Sequence, residues 1–329
     1  MQTVFIGVDI SKEWLDYSIV QGPGGIPSKS SQLSNNVKGI TQLIKKLSKA
    51  YDANLLWFCF EHTGHYGMLL SSLLQTHGIT YSAVPAMEIK NSIGMQRGKT
   101  DAVDAQRITQ YASLKATSLK PSSLPVKVLL QIKSLLAYRQ QLVKSRTQCL
   151  NSLKEYKVAQ QVIDVKMIIK AIKRKIDALS KEILSIENEV KKLIEMNSTL
   201  KKNFNLATSV KGVGFIIAAY MLIYTNNFTS FQNPRKFNCF TGLAPFEHSS
   251  GVWKGSTKTS HYRHRHLKSL LFNGANSAVQ HDPQLKAYLA RQIEKGKHRQ
   301  SVMNAVACKL VYRVFAIIKR QSPYVLLAH

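Results

Sequence analysis

Acidic side chains are scarce in this sequence: 18 Asp and Glu stand against 46 Lys and Arg, and the formal net charge is +28. The excess grows along the chain, from 12 basic and 8 acidic side chains in residues 1–126 to 17 and 3 in residues 203–329. A field of this sign attracts polyanions, because each neutralised nucleic-acid phosphate releases condensed counterions. A membrane surface would attract it too, but no basic amphipathic anchor stands out. We therefore expect a nucleic-acid-binding protein.

Cysteine pairs and long apolar runs are also lacking. Cys59, Cys149, Cys239 and Cys308 are far apart in the chain, with no C-x-x-C pair. This spacing argues against a zinc site or a disulfide framework and suits a reducing cytosol. The longest apolar stretch, residues 215–224, is too short to span a bilayer, and the first residues have no signal-peptide pattern. We expect a soluble cytoplasmic protein, associated with the nucleoid and without a membrane partner.

Apolar patterning in the first third of the chain predicts a mixed α/β domain around one sheet. Buried strands are predicted at residues 3–10, 14–20, 55–60 and 79–84, and helices at residues 37–50, 66–76 and 101–114.

Helical periodicity dominates the remainder. From residue 126 to 196 apolar side chains recur every three or four positions between Lys and Glu, which predicts long paired or coiled helices. This stretch is either an oligomerisation arm with a phosphate-facing surface or a solvated linker helix. Residues 203–329 are predicted to be helical and loop-rich. The pattern therefore suggests an N-terminal domain (1–120), a helical connector (121–200) and a mostly helical C-terminal domain (201–329).

Several carboxylates lie at the ends of predicted strands and helices. Asp9 ends the first strand, Glu61 follows six apolar residues, and Asp101 and Asp104 share one face at a helix start. Clustered like charges repel unless a cation lies among them, and an oxygen-rich, sulfur-free set favours Mg²⁺ or Mn²⁺. Two such ions about 4 Å apart support phosphodiester chemistry. Taken singly, Asp101 could be a helix N-cap, Asp9 could cap a turn, and Glu61 could simply leave a strand.

Three ordered motifs in the first third, VFIGVDISK (4–12), EHTGHY (61–66) and RGKTDAVDA (97–105), resemble those of a known family. They are similar to the DEDD transposases of the IS110 insertion-sequence family and to the related Piv-type DNA invertases. The resemblance implies a RuvC-like RNase H fold for residues 1–120. It also implies that Asp9, Glu61, Asp101 and Asp104 are the catalytic, metal-binding acids, with Mg²⁺ or Mn²⁺ as cofactor.

A second set of motifs, VKGVG (210–214), FNCFTGLAP (237–245) and SSG (249–251), resembles the family's C-terminal transposase domain in the same order. The resemblance implies a serine nucleophile, which we assign to Ser250 with Ser249 as the alternative. A serine hydroxyl needs a base or a metal to activate it, and Gly251 would permit close backbone approach to the substrate. Without the flanking motifs, the two serines would be taken for an ordinary polar turn.

Basic and glycine-rich segments are the predicted nucleic-acid contacts. VKGVG before an apolar helix resembles half of a helix-hairpin-helix, whose backbone amides approach a DNA phosphate. TSHYRHRHLK (259–268) departs from the family, with His261 and Arg263 where Lys and Gly are usual, but it stays strongly basic. We expect its histidines at the surface, in contact with phosphate or RNA. The predicted contacts are Arg97, Lys99, Lys211, Gly212, Gly214, Lys254, Lys258, Arg263, Arg265 and Lys268.

The family resemblance implies a transposase that cuts and rejoins DNA strands to excise and insert its own insertion sequence. It further implies guidance by a structured non-coding (bridge) RNA and a homo-oligomer, from dimer to tetramer. Two alternatives remain open. One is a metal-dependent, Holliday-junction-type endonuclease without a covalent intermediate; the other is a non-catalytic nucleic-acid-binding protein.

Overall fold

The computed structural model describes residues 2–62, 64–93, 100–231, 233–246, 249–250, 253–254, 258–259 and 263–325. The chain divides into two compact units, Met1–Leu124 and Pro125–His329.

A five-stranded sheet forms the centre of the first unit. In the order β3-β2-β1-β4-β5, it contains β1 (Val4–Ile10), β2 (Trp14–Gln21), β3 (Ser31–Ser34), β4 (Leu56–Glu61) and β5 (Thr80–Val84). β2 runs antiparallel to β1 and β3, whereas β1, β4 and β5 are parallel to one another. This order and these directions are those of the RNase H fold, so the fold predicted for the N-terminal region is confirmed.

Helices cover both faces of this sheet. They are α1 (Val37–Ala50), α2 (Met68–Thr76), α3 (Ala86–Ile93) and α4 (Asp101–Leu114), with a 3-10 turn at Ala53–Leu55. Because side chains alternate along a strand, β1 sends Ile6 and Val8 into the core under α1 and α2. Its Phe5 points to the opposite face, where it packs with Ile108 of α4.

A long helical hairpin begins the second unit. α5 (Lys127–Ala159) and α6 (Lys166–Glu195) run antiparallel. Arg139 Nε donates to Glu187 Oε1 at 2.6 Å, and Arg146 Nη1 donates to Ser180 Oγ at 3.4 Å. The periodic stretch predicted from the sequence is therefore two helices that pair with each other.

The rest of the second unit is a helical bundle with a short β-excursion. Its helices are α7 (Ser198–Thr208), α8 (Phe215–Tyr224), α9 (Pro234–Thr241), α10 (Arg265–His281), α11 (Pro283–Glu294) and α12 (Arg299–Arg320). Four two-residue strands lie between α9 and α10: β6 (Pro245–Phe246), β7 (Ser249–Ser250), β8 (Trp253–Lys254) and β9 (Lys258–Thr259). The apolar α8 lies in one core with α5, α10 and α12.

One helix of the bundle is long and apolar enough to cross a membrane. α12 has this length and composition, and half of its most apolar stretch is buried inside the protein. Val306, Leu310 and Val314 on its inner face are fully buried in the bundle core. α12 therefore packs as a core helix of the bundle.

Candidate active site and nucleic-acid interface

The end of the parallel β1–β4 pair brings two of the predicted acids together. The ladder between these strands extends to Val8 opposite Phe60, so Asp9 and Glu61 are the next residues on adjacent strands. Gly7 and Cys59 lie two residues earlier on the same strands and face α4. Because side chains two apart share a face of a strand, both acids project on the side of the sheet that α4 covers.

A close contact between α4 and β1 places the other two acids on that side. Gly7 N donates to Thr109 Oγ1 at 3.1 Å, and a Cβ on Gly7 would lie only 2.2 Å from Thr109 N. Only glycine allows the helix to approach the strand this closely. The first turn of α4, with Asp101 and Asp104, is therefore held next to the end of β1.

The first turn of α4 is capped by Thr100. Its hydroxyl accepts a hydrogen bond from Val103 N at 3.3 Å. Asp101, which could have been the N-cap, is instead an exposed residue of the first turn. A carboxylate at a helix start is stabilised by the helix dipole but is not needed there to satisfy a backbone amide. Asp101 therefore has no capping role at this helix start.

The four acids interact electrostatically. The pKa of Asp9 is raised from its usual 3.8 to about 6. Burial is the largest cause, followed by the charges of Asp101, Asp104 and Glu61, and a hydrogen bond from Ile10 N lowers the pKa. Arg107 offsets part of this charge through an ion pair with Asp104 at 2.8 Å. The site thus concentrates negative charge on oxygen donors, which suits a hard divalent cation.

The acids are near one another without forming a closed ligand set. In the part of the chain that the structure describes, no three His, Cys, Asp or Glu side chains are already arranged to hold a metal ion. Like charges repel, so carboxylates in this position would be drawn inwards only by a cation between them.

A fifth carboxylate, Asp16, lies beside this cluster and was not predicted from the sequence. β2 pairs Asp16 directly with Asp9, which puts both on the same face of the sheet. Asp16 is only 8% exposed, and its Oδ2 accepts a hydrogen bond from Gln32 Nε2 at 3.0 Å. The short turn between residues 11 and 14 fixes this register, so a hairpin alignment of the two predicted strands would have found it.

The predicted nucleophile lies in the β-excursion of the second unit. Ser250 pairs with Trp253, and Ser249 with Lys254, between β7 and β8. β6 pairs with β9, whose first residue is Lys258. Of the other predicted contacts, Arg97, Lys99 and His261 lie outside the described residues.

Three side chains hold the base of this excursion. Gly242 ends α9 with φ of +71°, and its Cα lies against the Arg263 side chain. Lys268 Nζ donates to Gly242 O at 2.7 Å, and Asn304 Nδ2 donates to Leu243 O at 2.7 Å. Burial also lowers the pKa of Lys268. Arg263 and Lys268, predicted as phosphate contacts, thus also anchor the segment that leads to Ser250.

The histidines at the start of α10 are partly buried rather than fully at the surface. His264 Nδ1 accepts from Leu267 N at 3.1 Å, and its Nε2 lies 2.6 Å from Tyr224 Oη. His266 packs edge-on against Tyr220. Burial lowers the pKa of both histidines. These two positions therefore build the helix start and its aromatic support, whereas Arg265 between them is exposed.

The VKGVG segment presents the start of α8. Lys211 and Gly214 are exposed, and Gly214 is the N-cap without a side-chain hydrogen bond to the helix. Gly212 has φ of +90°, and a Cβ there would lie 2.4 Å from Gly274 O. The first amides of α8 therefore have no side-chain cap.

The RNase H fold, with carboxylates gathered at one edge of its sheet, defines a class of enzymes that cut nucleic acids. A family model described as the DEDD transposase domain of IS110 elements matches residues 6–157. A second, described as "Transposase IS116/IS110/IS902 family", matches residues 205–290. The chain belongs to the IS110 family of transposases. It is a transposase, an enzyme that cuts and rejoins DNA strands with nuclease-type catalysis.

Curated relatives agree along most of the chain. The "Pilin gene-inverting protein" of Moraxella lacunata is 23% identical over 98% of both chains. The "Transposase for insertion sequence element IS1111A" of Coxiella burnetii is 26% identical over 75% of this chain and 73% of its own length. Among solved structures, Thermus thermophilus RuvC aligns with 36% of this chain and 100% of its own, at 11% identity and a TM-score of 0.29.

The charge on Asp9 predicts a pH-dependent stability difference. Because folding raises its pKa from 3.8 to about 6, the folded state holds the proton more tightly, and stability falls as pH rises through this window. We expect Asp9→Asn to stabilise the metal-free protein at pH 7.5 by about 1–2 kcal/mol, less than the full shift because solvent screens the site. The gain should vanish near pH 4.

Thermal unfolding in EDTA at both pH values measures this difference. Glu13→Gln is the matched control, because Glu13 is an exposed carboxylate on the turn after β1. Equal melting temperatures for wild type and Asp9→Asn at pH 7.5 would contradict the predicted repulsion.

Two glycines of the VKGVG segment should respond differently to alanine. Gly212→Ala requires a side chain at φ of +90° and against Gly274 O, so we expect a loss of at least about 2 kcal/mol. Gly214→Ala meets open space and should change stability by less than about 0.5 kcal/mol. Urea unfolding of the two variants tests this, and similar losses in both would show that the close contact at Gly212 is not needed.

Proposed function

We propose that this transposase excises and inserts its own insertion sequence through a serine–DNA intermediate, supported by a divalent cation at Asp9, Glu61, Asp101 and Asp104. Ser250 is the nucleophile, with Ser249 as the alternative. A structured non-coding RNA selects the donor and target sequences by base pairing, and the working unit is a homo-oligomer, up to a tetramer.

The observation that carries this proposal is the placement of the acids: Asp9 and Glu61 are neighbours at the ends of β1 and β4, and the first turn of α4 is held on the same side of the sheet. Burial and three neighbouring charges raise the pKa of Asp9 to about 6. The repulsion between these charges does not stabilise the fold. A cation that relieved it would also lie where a phosphodiester could bind. Mg²⁺ or Mn²⁺ there would polarise the phosphate and stabilise the leaving oxygen.

Basic charge supports the RNA-guided part of the proposal. The chain carries a net charge of +28, and the acidic residues are concentrated in its first two thirds. A protein that leaves sequence recognition to base pairing needs chiefly backbone contacts from Lys and Arg. The exposed Lys211, the uncapped start of α8 and the exposed Arg265 would serve as such contacts.

The covalent step balances as a transesterification. Ser250 Oγ forms a bond to the scissile phosphorus, and the bond from phosphorus to the deoxyribose oxygen breaks. The proton lost by the serine hydroxyl is matched by the proton gained by the departing deoxyribose hydroxyl. Rejoining is the reverse reaction with a hydroxyl of the new strand partner, so the phosphodiester energy is conserved and no external cofactor is consumed.

A covalent-trapping assay tests the nucleophile. The protein is co-expressed with the non-coding DNA that flanks its gene, mixed with Mg²⁺ and nicked element-end DNA, and analysed by denaturing gel and peptide mass spectrometry. We expect a protein–DNA adduct at Ser250 that is lost both in Ser250→Ala and in Asp9→Ala.

Each other outcome assigns a different mechanism. An adduct that persists in Ser250→Ala but is lost in Ser249→Ala moves the nucleophile by one residue. Cleavage that survives both serine variants without an adduct identifies a metal-dependent junction endonuclease. Binding of DNA and RNA with no Mg²⁺-dependent cleavage identifies a non-catalytic nucleic-acid-binding protein. If the complex is treated with ribonuclease before DNA is added and then forms no adduct, RNA guidance is supported. An unchanged amount of adduct contradicts it.

Sharing of active sites between protomers predicts complementation. We expect Ser250→Ala and Asp9→Ala chains, each inactive alone, to recover adduct formation when co-assembled. The adduct should map to the Asp9→Ala chain, because only this chain retains the serine. Chains that differ in tag mass allow this assignment on one gel. Failure of co-assembled chains to recover any adduct would contradict a site shared between protomers.

A further inference from the structure

Asn35 joins the two chain segments that follow the acid-bearing strands. It lies between β3 and α1, and its Nδ2 donates to Ser11 O at 2.9 Å and to Tyr66 O at 3.2 Å. Ser11 comes two residues after Asp9, and Tyr66 comes five residues after Glu61. One side-chain amide therefore bridges the segments that follow the two acids.

This bridge lies beyond the end of the β1–β4 ladder. The paired residues of β1 and β4 end with Val8 and Phe60, one residue before the two acids. Past that point the β1–β4 ladder no longer joins these two strands directly, although Asp9 still pairs with Asp16 of β2 and Glu61 with Val84 of β5. The Asn35 amide supplies a cross-connection at the level where the carboxylates diverge from the sheet.

The chemistry of the bridge requires an amide in this orientation. A side-chain NH₂ has two donors, and both are used on main-chain carbonyls, so a reversed amide would set its oxygen against two other oxygens. Asn35 is itself fixed, because its backbone N donates to Glu13 O at 2.8 Å in the turn after β1. The side chain is thus anchored at its base and at both donors.

The other end of the amide is costly. Asn35 Oδ1 is buried and has no hydrogen-bond partner within the described part of the chain. An unsatisfied buried acceptor lowers the free energy of unfolding, and this offsets part of the stability that the two donor bonds contribute. Stability alone is therefore a poor explanation for an asparagine here, whereas fixed spacing of the two loops explains it directly.

We propose that Asn35 is a positioning residue that sets the separation of the Asp9 and Glu61 carboxylates and thereby the affinity of the acidic site for a divalent cation. This inference rests on the proposed metal-dependent function. Asn35 touches neither the acids' carboxylates nor the reacting atoms in this role, and acts through the main chain at Ser11 and Tyr66.

The neighbouring residue provides a matched control. Asn36 is the N-cap of α1, and its Oδ1 accepts from Gly39 N at 2.8 Å. Asn36→Ala removes this cap and should lower stability, while leaving the bridge intact. Asn35→Ala removes the bridge and the unsatisfied oxygen together, so its effect on stability should be the smaller of the two.

The experiment measures Mn²⁺ binding to the full-length chain without DNA, by electron paramagnetic resonance of the free ion, alongside thermal unfolding. The same variants are then titrated with Mn²⁺ in the adduct assay. We expect Asn35→Ala to raise both the Kd for Mn²⁺ and its half-saturating concentration about tenfold. We expect Asn36→Ala to unfold at a lower temperature with unchanged Mn²⁺ affinity.

The outcomes separate this inference from the proposed function. If wild type binds Mn²⁺, Asp9→Asn abolishes binding and Asn35→Ala binds as wild type does, the positioning role is wrong and the metal site stands. Weakened binding in both Asn35→Ala and Asn36→Ala would assign the effect to general loosening and also overturn the positioning role. No Mn²⁺ binding by wild type would overturn the metal site and this inference together.

Discussion

The contact between α4 and β1 is the constraint on which the first unit depends. Because Gly7 has no side chain, Thr109 reaches the strand and bonds its backbone. The same hydroxyl also donates to Ala105 O at 2.8 Å, one turn earlier in the helix. The contact of Thr109 with Gly7 thus determines both how closely α4 packs on the sheet and where its first turn lies. Any larger residue at Gly7 would lift the helix away from the sheet, and the acids on α4 with it.

The acidic cluster is a negatively charged site in a chain whose net charge is strongly positive. Asp101, Asp104 and Glu61 repel the charge of Asp9 in a protein with a net charge of +28, and Arg107 forms an ion pair with Asp104. A polyanionic substrate is attracted to the protein as a whole but repelled by this one spot. A divalent cation reverses the sign at that spot, so substrate and cation would favour each other's binding there.

Sequence patterns predicted the elements that carry apolar periodicity and missed those that do not. The strands at 3–10, 14–20, 55–60 and 79–84 are found within a residue or two of the observed ones. β3 (SQLS) is polar and lies at a sheet edge, so it gave no alternation to detect. The break between α5 and α6 was hidden because exposed apolar residues continue through the turn, with Val162 88% exposed.

For the candidate site, the motifs indicated which acids to consider, but not their surroundings. The half-burial of the histidines at the start of α10 depends on contacts with residues distant in sequence, such as that of His264 with Tyr224. The bridge at Asn35 joins three segments that are separate in the sequence. Such relations follow from tertiary packing and have no local signature.

The pairing of α5 with α6 constrains how this chain can change length over evolution. Arg139 meets Glu187 and Arg146 meets Ser180, so a step of seven residues along one helix matches seven residues back along the other. A single insertion in either helix would rotate its apolar seam away from its partner. The α5–α6 hairpin can therefore lengthen or shorten only through matched insertions or deletions of seven residues in both helices. Each such pair would change its reach by about 10 Å.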